Sequence, residues 1–516
     1  MALANRFRPS SSLPVLALTY LASRVPFVYR DGFPDGDQQH IALGILDAVM
    51  SGRGFEGLRL YGASFSPGYH LAHFALGPLY RDHPYAVFDV MNWSGILAGL
   101  LALVGLYAFV RELRSSAEAD AAGILWTFAP GWWELTTFGH PSTIALGLLF
   151  PSLACLARGS RAQASPAWTA CAAVLYFLTL SVRADFLLAA PAFLLVPVAR
   201  NRWRTLVPAA IVCGFGVAAF LVLHRIQFPP VEHSTSSGFI GHAMSVRGGT
   251  ARLAVREAVV FVLGLGVPLM FVGVLSLLLA RGRRLWTLTL AATIVPATLW
   301  WLQVWGAFRH FLIPGAFLTI AAAALLARTR SPRLAAIAVA LCGQAVAFML
   351  SPAIEARYPW TFRAEPGVHR WSSQAPLGDW LSSHVAAVRG VNREAEDARW
   401  IAGSAPESLL VVAPSSFRYE FEVLARSKGR YGYRLLDTPA GGVERVLLES
   451  PQGTRRFLAG DPAPLAAALA LPDVLSELHA TRIFVPSAAV PVMVTYPVSG
   501  LIEVSRGEPG PQGTSL

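Results

Sequence analysis

The chain has 516 residues, of which 54% are hydrophobic and only 14% charged, with a mean hydropathy of +0.49. Soluble domains carry about 25% charged residues, so this composition excludes an ordinary soluble protein and describes a chain that crosses a membrane many times. The net charge of +11 comes from arginines scattered over separate connections, which argues against a nucleic-acid partner.

A helix needs about 20 mostly apolar residues to cross a hydrocarbon core about 30 Å thick. Runs of that kind fall at 11–29, 85–110, 121–138, 140–157, 167–182, 184–200, 206–224, 257–280, 286–303, 310–327 and 334–352, which makes about eleven crossings. Every second connection is basic: Arg6 and Arg8; Arg111 and Arg114; Arg158 and Arg161; Arg200, Arg202 and Arg204; Arg281, Arg283 and Arg284; Arg328, Arg330 and Arg333. The positive-inside rule assigns these to the cytoplasm. The N-terminus is then inside, while loop 30–84, loop 225–256 and everything after about 353 are outside. No small-residue cleavage site follows the first run and further spans do, so it reads as a span and not a removed signal. The runs 121–138 and 140–157 meet at Gly139-His140-Pro141 and form either two minimal crossings or one re-entrant pair; the sidedness of the rest is the same either way. Cys155, Cys171, Cys213 and Cys342 all lie in apolar runs and imply no disulfide framework.

Loop 30–84 carries Asp31, Asp35 and Asp37 in the string DGFPDGDQQ. Carboxylates at a bilayer edge are costly and usually face a cavity. Asp35 and Asp37, two apart in an extended segment, point the same way. Ile41, Leu43, Ile45, Leu46, Val49 and Met50 then form a helical apolar face over 38–50, ended by Ser51-Gly52-Arg53-Gly54, and a second amphipathic stretch runs from Tyr69 to Tyr80 after Ser66-Pro67-Gly68. Both read as helices lying along the membrane surface and framing a groove. Asp37 also has a purely structural reading, as N-cap of the helix at 38–50.

Three more clusters fall on the outward side: His140 at the Gly-His-Pro turn, Arg183-Ala184-Asp185, and Arg309-His310. Acids and cations meeting at one membrane face suit a reaction in which a general base takes a proton while cations neutralise a departing phosphate. The structural alternatives are an Arg183–Asp185 pair closed on itself, Arg309 and His310 as interface anchors beside Trp300, Trp301, Trp305 and Phe308, and His140 as a turn residue. Trp132 and Trp133 read as membrane-belt residues or a sugar-stacking platform.

Residues 353–516 are more polar and read as a separate small α/β domain, with helices at 376–389, 393–403 and 463–479 and strands at Leu409 to Val412, Val443 to Leu448 and Arg482 to Val485. No nucleotide-binding fingerprint is present in it. The tail from Arg506 has a disordered composition.

These residues carry a resemblance. The arrangement over 1–352 resembles the GT-C superfamily of integral-membrane glycosyltransferases, which use polyprenyl-phosphate-linked sugars and place an acidic motif in the first outward loop. PDGDQQ, ending at Gln39, is similar to the proline-aspartate-glutamate motif of the mannosyltransferase branch, with Gly36 between two aspartates here. FRHFLIP, from Phe308 to Pro314, resembles that branch's late basic-aromatic motif, and SFSPGYH, from Ser64 to His70, its turn after the first surface helix. The resemblance implies an α-helical polytopic membrane protein with an extracytoplasmic C-terminal domain at 353–516, acting as an inverting glycosyltransferase on a polyprenyl-phosphate sugar and a glycan, lipid or protein acceptor. On that reading Asp35 is the base, and Asp37 steers the acceptor or holds a divalent cation such as Mg or Mn. Arg309 and His310 bind the lipid phosphate, with Arg183, Asp185, His140 and Gln39 completing the substrate-binding set. Competing classes are a polymerase or ligase of lipid-linked glycans and a flippase or transporter. A transporter would hold its charges mid-span and commonly shows inverted repeats, neither of which is visible here.

Overall fold

The computed structural model describes residues 12–28, 36–50, 67–83, 86–137, 139–161, 163–200, 203–227, 250–279, 284–303 and 308–357, and strand segments between 409 and 504. The chain divides into two compact units, each assembled from separated segments. One comprises Met1–Val28, Ala63–Leu71 and Met91–Ser383; the other comprises Tyr29–Gly62, Ala72–Val90 and His384–Leu516.

Helices in chain order are α1 Ser12–Arg24, α2 Gly36–Met50, α3 Pro67–Ala75, α4 Gly77–Asp82, α5 Ala86–Leu113, α6 Ser116–Phe128, α7 Pro130–Leu135, α8 Pro141–Gly159 and α9 Ala167–Val182. They continue with α10 Leu195–Arg200, α11 Leu206–Gln227, α12 Thr250–Leu265, α13 Val267–Leu278, α14 Arg284–Gln303, α15 Leu312–Leu326 and α16 Pro332–Arg357. Every expected apolar run is helical, yet among the described residues only three helices, in α5, α8 and α11, are long and apolar enough to cross a membrane alone. The others are interrupted. The run 121–138 splits at Ala129 into α6 and α7, because Pro130 has no amide to continue the ladder. The run 184–200 begins as the 3-10 stretch Ala184–Leu194, with Pro191 inside it. The run 257–280, expected as one span, bends by 94° between α12 and α13. Its corner is Gly266, at φ +94°, a conformation that excludes a side chain without strain. Such a bend makes the segment a broken span or a re-entrant turn.

A helix broken in an apolar setting leaves carbonyls that need donors. At the α6–α7 break the Thr127 carbonyl accepts from Arg24 Nη2 at 2.5 Å and the Phe128 carbonyl from Gln344 Nε2 of α16 at 2.6 Å. Arg24 is fully buried. Its Nε donates to Thr136 Oγ1 at 3.1 Å, its Nη1 to Ser23 Oγ at 2.6 Å, and its guanidinium lies 4.4 Å from the Tyr20 ring centroid.

At the other end of this unit the basic connections gather. Glu112 of α5 receives Arg161 at 2.6 Å and Arg200 at 3.6 Å, and Arg114 pairs with Glu118 at 3.0 Å while its guanidinium lies 5.0 Å from the Trp286 ring centroid. Asp120 of α6 is the hub of this end: its Oδ1 accepts from Ser12 Oγ at 2.5 Å and Tyr107 Oη at 3.0 Å, and its Oδ2 from Arg333 Nε and Nη2 at 2.9 and 2.7 Å. One carboxylate thereby joins α1, α5, α6 and α16.

In the second unit α2 has five consecutive buried residues from Ala42 to Leu46, so protein covers it all round and not on a single face as a surface helix would be. Arg81 Nε donates to the Val49 carbonyl at 3.4 Å. The amphipathic stretch after Pro67 is two helices, broken at Leu76, and His73 Nδ1 bonds the Tyr80 hydroxyl at 2.8 Å across the break. Burial pushes the Tyr80 phenol up, which keeps its proton in place.

The C-terminal strands are β1 Leu409–Ala413, β2 Gly432–Ala440, β3 Val443–Ser450, β4 Gly453–Gly460, β5 Arg482–Phe484, β6 Val494–Pro497 and β7 Leu501–Val504. Five form a sheet ordered β2-β3-β4-β1-β5. The first three are an antiparallel meander, and β1 pairs in parallel with β4 and β5; β6 and β7 form a separate hairpin. Strands β1, β3 and β5 fall on the expected runs. The sequence pattern did not give β2, β4, β6 or β7; in β2 and β4 Arg, Asp and Gly residues interrupt the apolar alternation, although Gly441-Gly442 between β2 and β3 is a two-residue hairpin signal. The helices expected at 376–389, 393–403 and 463–479, and the tail from Arg506, lie outside the described residues.

Replacing Arg24 by Met strands the Thr127 carbonyl. The expected cost is about 1–3 kcal/mol, read as a lower midpoint of thermal unfolding in detergent. Arg24→Lys is expected to recover little, because an ammonium lacks the planar fork that reaches Thr127, Thr136 and Ser23 together.

Candidate functional site

The acidic motif is only partly described. Asp35 lies outside the described residues, as does Asp31. Asp37 and Gln39 fall in the opening turn of α2, of which the backbone alone is described. The helix begins at Gly36, so Asp37 sits inside the first turn and not at the capping position ahead of it. Arg309 lies in the 3-10 turn Phe308–Phe311, again with only its backbone described.

The remaining candidates belong to the first unit, and three of them meet. Arg183 ends α9 with an extended backbone, φ −153° and ψ 107°, which turns its side chain away from the helix axis. Its Nε donates to Asp185 Oδ1 at 3.0 Å, with both side chains less than one-fifth exposed. Its Nη2 approaches His310 Nδ1 at 3.4 Å. A guanidinium only donates, so in this geometry His310 Nδ1 accepts and the ring proton rests on Nε2. His310 is held by its turn, in which Phe311 is buried and stacks on Phe261 of α12 with centroids 4.7 Å apart and planes 14° from parallel. The Arg183–Asp185 pair is therefore not closed on itself: it extends to a histidine 127 positions later.

The Ser-Pro-Gly turn adjoins this cluster. A Cβ on Gly68 would lie 2.8 Å from Ser181 Cβ, so the start of α3 rests on the end of α9, two residues before Arg183. Tyr69 then donates to the Gly139 carbonyl at 3.4 Å, and the Gly139 amide donates to Asn92 Oδ1 at 3.1 Å. His140 follows. It is buried, and its Nδ1 accepts the Ser142 amide at 3.0 Å as the N-cap of α8, so it has a helix-capping role. The structure thus runs a strip of polar side chains and turns from His310 through Arg183, Gly68 and Tyr69 to His140.

Trp132 and Trp133 are packed inside and not arrayed as a belt. Trp132 lies 4.2 Å from the Trp126 ring centroid, and Trp133 Nε1 donates to the Ser23 carbonyl at 2.8 Å. Buried ionisable groups that the sequence pattern did not single out include Arg24, Asp120, and Glu257 on α12, one turn before Phe261. Each is a charge within or at the edge of an apolar run, which is itself a signal of function or of a special structural duty. Among the described residues no three His, Cys, Asp or Glu side chains converge as metal ligands; the side chains of Asp35 and Asp37 are not among those described.

No protein-family profile matches the sequence, and no curated protein matches it. Solved structures do. ArnT from Cupriavidus metallidurans in the apo state aligns over 79% of this chain and 83% of its own, with a TM-score of 0.51 at 16% identity. The same protein bound to undecaprenyl phosphate aligns at a TM-score of 0.47, and the oligosaccharyltransferase AglB from Archaeoglobus fulgidus at 0.44 with 12% identity, over 81% of this chain and 63% of its own. The apo ArnT alignment shows that this helical chain shares that protein's fold.

A surface ion pair contributes about 0–1 kcal/mol, and this one, though mostly shielded, keeps some exposure on both side chains. Asp185→Ala and Arg183→Gln are accordingly expected to leave the unfolding midpoint in detergent within a few degrees of the parent. A collapse of either variant would assign the pair to the scaffold.

Proposed function

We propose that this chain is a GT-C glycosyltransferase that moves a sugar from a polyprenyl-phosphate donor to an acceptor hydroxyl at the outer membrane face. The observation that supports this most is the half-buried Arg183–Asp185–His310 cluster in a chain that shares a fold with ArnT. Cations at that depth need an anionic counterpart, and a lipid-linked phosphate carries its charge to the same depth. Asp185 holds Arg183 by one edge and leaves other guanidinium donors for the phosphate oxygens. His310, with its proton on Nε2, adds a neutral donor, and Arg309 in the same turn adds a second cation.

In the proposed reaction Asp35 takes the proton of the acceptor hydroxyl as that oxygen attacks the anomeric carbon. The bond from the anomeric carbon to the phosphate oxygen breaks, its electron pair leaves on the phosphate, and Arg183, Arg309 and His310 stabilise the growing charge. Displacement from the opposite side inverts the anomeric centre. Asp37 and Gln39 orient the acceptor, and Asp37 with Asp35 supplies the carboxylates for a divalent cation if one takes part. The chain is then a multi-pass protein of the plasma or inner membrane, with its N-terminus cytoplasmic and its C-terminal domain extracytoplasmic.

The test is release of labelled sugar from a panel of polyprenyl-phosphate sugars by the chain in lipid nanodiscs, with outer-face lipid extract as acceptor. Asp35→Asn is expected to abolish turnover, and Arg183→Gln to lower kcat by about 10²–10³-fold with a stability close to the parent's. Donor binding without consumption by the parent, or full turnover by Asp35→Asn, would overturn the reading.

A further inference from the structure

At the end of the first unit that carries the arginine connections, two cavities meet at the Asp120–Arg333 pair. One, of about 520 Å³, is a groove between α1, α6 and α16, walled by Val15, Leu16, Ile124, Phe128, Ile337 and Leu341. The other, of about 440 Å³, lies between the starts of α6 and α16 and is lined by Ser116, Ser331 and Arg333 among others. The first is apolar along most of its length, Thr19 being a lone hydroxyl on its wall, and its charges stand at its head, with Ser12, Asp120 and Arg333. From Arg333 to Leu341 it follows α16 for roughly 12 Å by the helical rise.

Val15, Ile337 and Leu341 are 60%, 39% and 59% exposed, so their apolar surface faces outward along a groove, where it needs an apolar occupant. The charge at the head selects among apolar occupants. Asp120 is 5% exposed and fully engaged by Ser12, Tyr107 and Arg333, while the Arg333 side chain is 60% exposed. Arg333 spends Nε and Nη2 on Asp120, and its Nη1 is left for a ligand. The adjoining turn exposes Arg328 and Arg330, and the nearby Glu118 is taken by Arg114. The mouth therefore carries surplus positive charge above an apolar slot.

We infer that this groove binds an anionic phospholipid of the surrounding bilayer, with its phosphate at Arg333 and one acyl chain along Val15, Ile124, Ile337 and Leu341. A zwitterionic lipid offers the same chain but cancels the phosphate charge, so the head discriminates between the two. The site shares no residue with the Arg183 cluster and does not depend on the proposed reaction.

The test is native mass spectrometry of the full chain in detergent, titrated with phosphatidylglycerol, with phosphatidylcholine of identical acyl chains, and with glycerol phosphate. Phosphatidylglycerol adducts are expected to be favoured about fivefold or more over phosphatidylcholine. Ile337→Trp, a surface substitution that fills the slot, is expected to weaken them by about tenfold. The double variant Asp120→Asn, Arg333→Gln, which removes the phosphate-binding guanidinium and leaves no buried carboxylate unpaired, is expected to lower the preference to the remainder that Arg328 and Arg330 supply while phosphatidylcholine adducts are retained. Equal retention of the two lipids by the parent, or phosphatidylglycerol binding unchanged in Ile337→Trp, would overturn the proposal. So would tight glycerol phosphate binding that ignores the slot, or a dimer mass in place of lipid adducts, which would make a second copy the occupant.

Discussion

A helix that stops inside an apolar bundle has to find donors for its last carbonyls, and the architecture of the first unit turns on how α6 does so. Pro130 ends the ladder at Ala129. Arg24 arrives from the end of α1 to take the Thr127 carbonyl, and Gln344 from the middle of α16 to take that of Phe128. These two side chains bind α1 and α16 to the break between α6 and α7. The same break sets α7 on its own course, with Trp132 against Trp126 and Trp133 on the Ser23 carbonyl, and so directs the chain into the turn that carries His140. The burial of Arg24 is sustained by three hydrogen bonds and the face of Tyr20; without them an arginine there would be prohibitive.

The two ends of the unit are built differently. At the arginine-rich end the carboxylates are shared: Glu112 serves two arginines, and Asp120 spends both oxygens on four donor groups. At the other end Arg183, Asp185 and His310 form an open chain, partly exposed, carried on an extended residue and a short 3-10 turn.

Composition and apolar run length alone identified a helical membrane protein, because nothing else accounts for so few charges spread over so many long apolar stretches. Alternation of arginines predicted which connections share an end, and Glu112, Arg161, Arg200 and Arg114 do meet there. The same reading placed Arg183, Asp185 and His310 on one side, since span parity is enough for that. It overestimated the continuity of the helices. Proline and glycine break several runs, and a hydropathy window averages over such breaks. It also read Trp132 and Trp133 as interfacial, since amphipathic rings near a span end suit both a membrane belt and a core, and only neighbours distinguish them.

What the sequence by itself determined is the list of apolar segments, the end to which each charged connection belongs, and the motifs that resemble GT-C enzymes. These are local quantities, set by transfer free energies and by residue type. What the tertiary structure decided is which charges are spent and which are left over. His140 became a helix cap, Arg24 a clamp on a broken helix, Asp120 a hub, and Arg183 a bridge between Asp185 and His310. The His140 cap is local, its partner being the Ser142 amide two residues on, but the other three roles depend on partners about a hundred or more residues away, which no local pattern encodes.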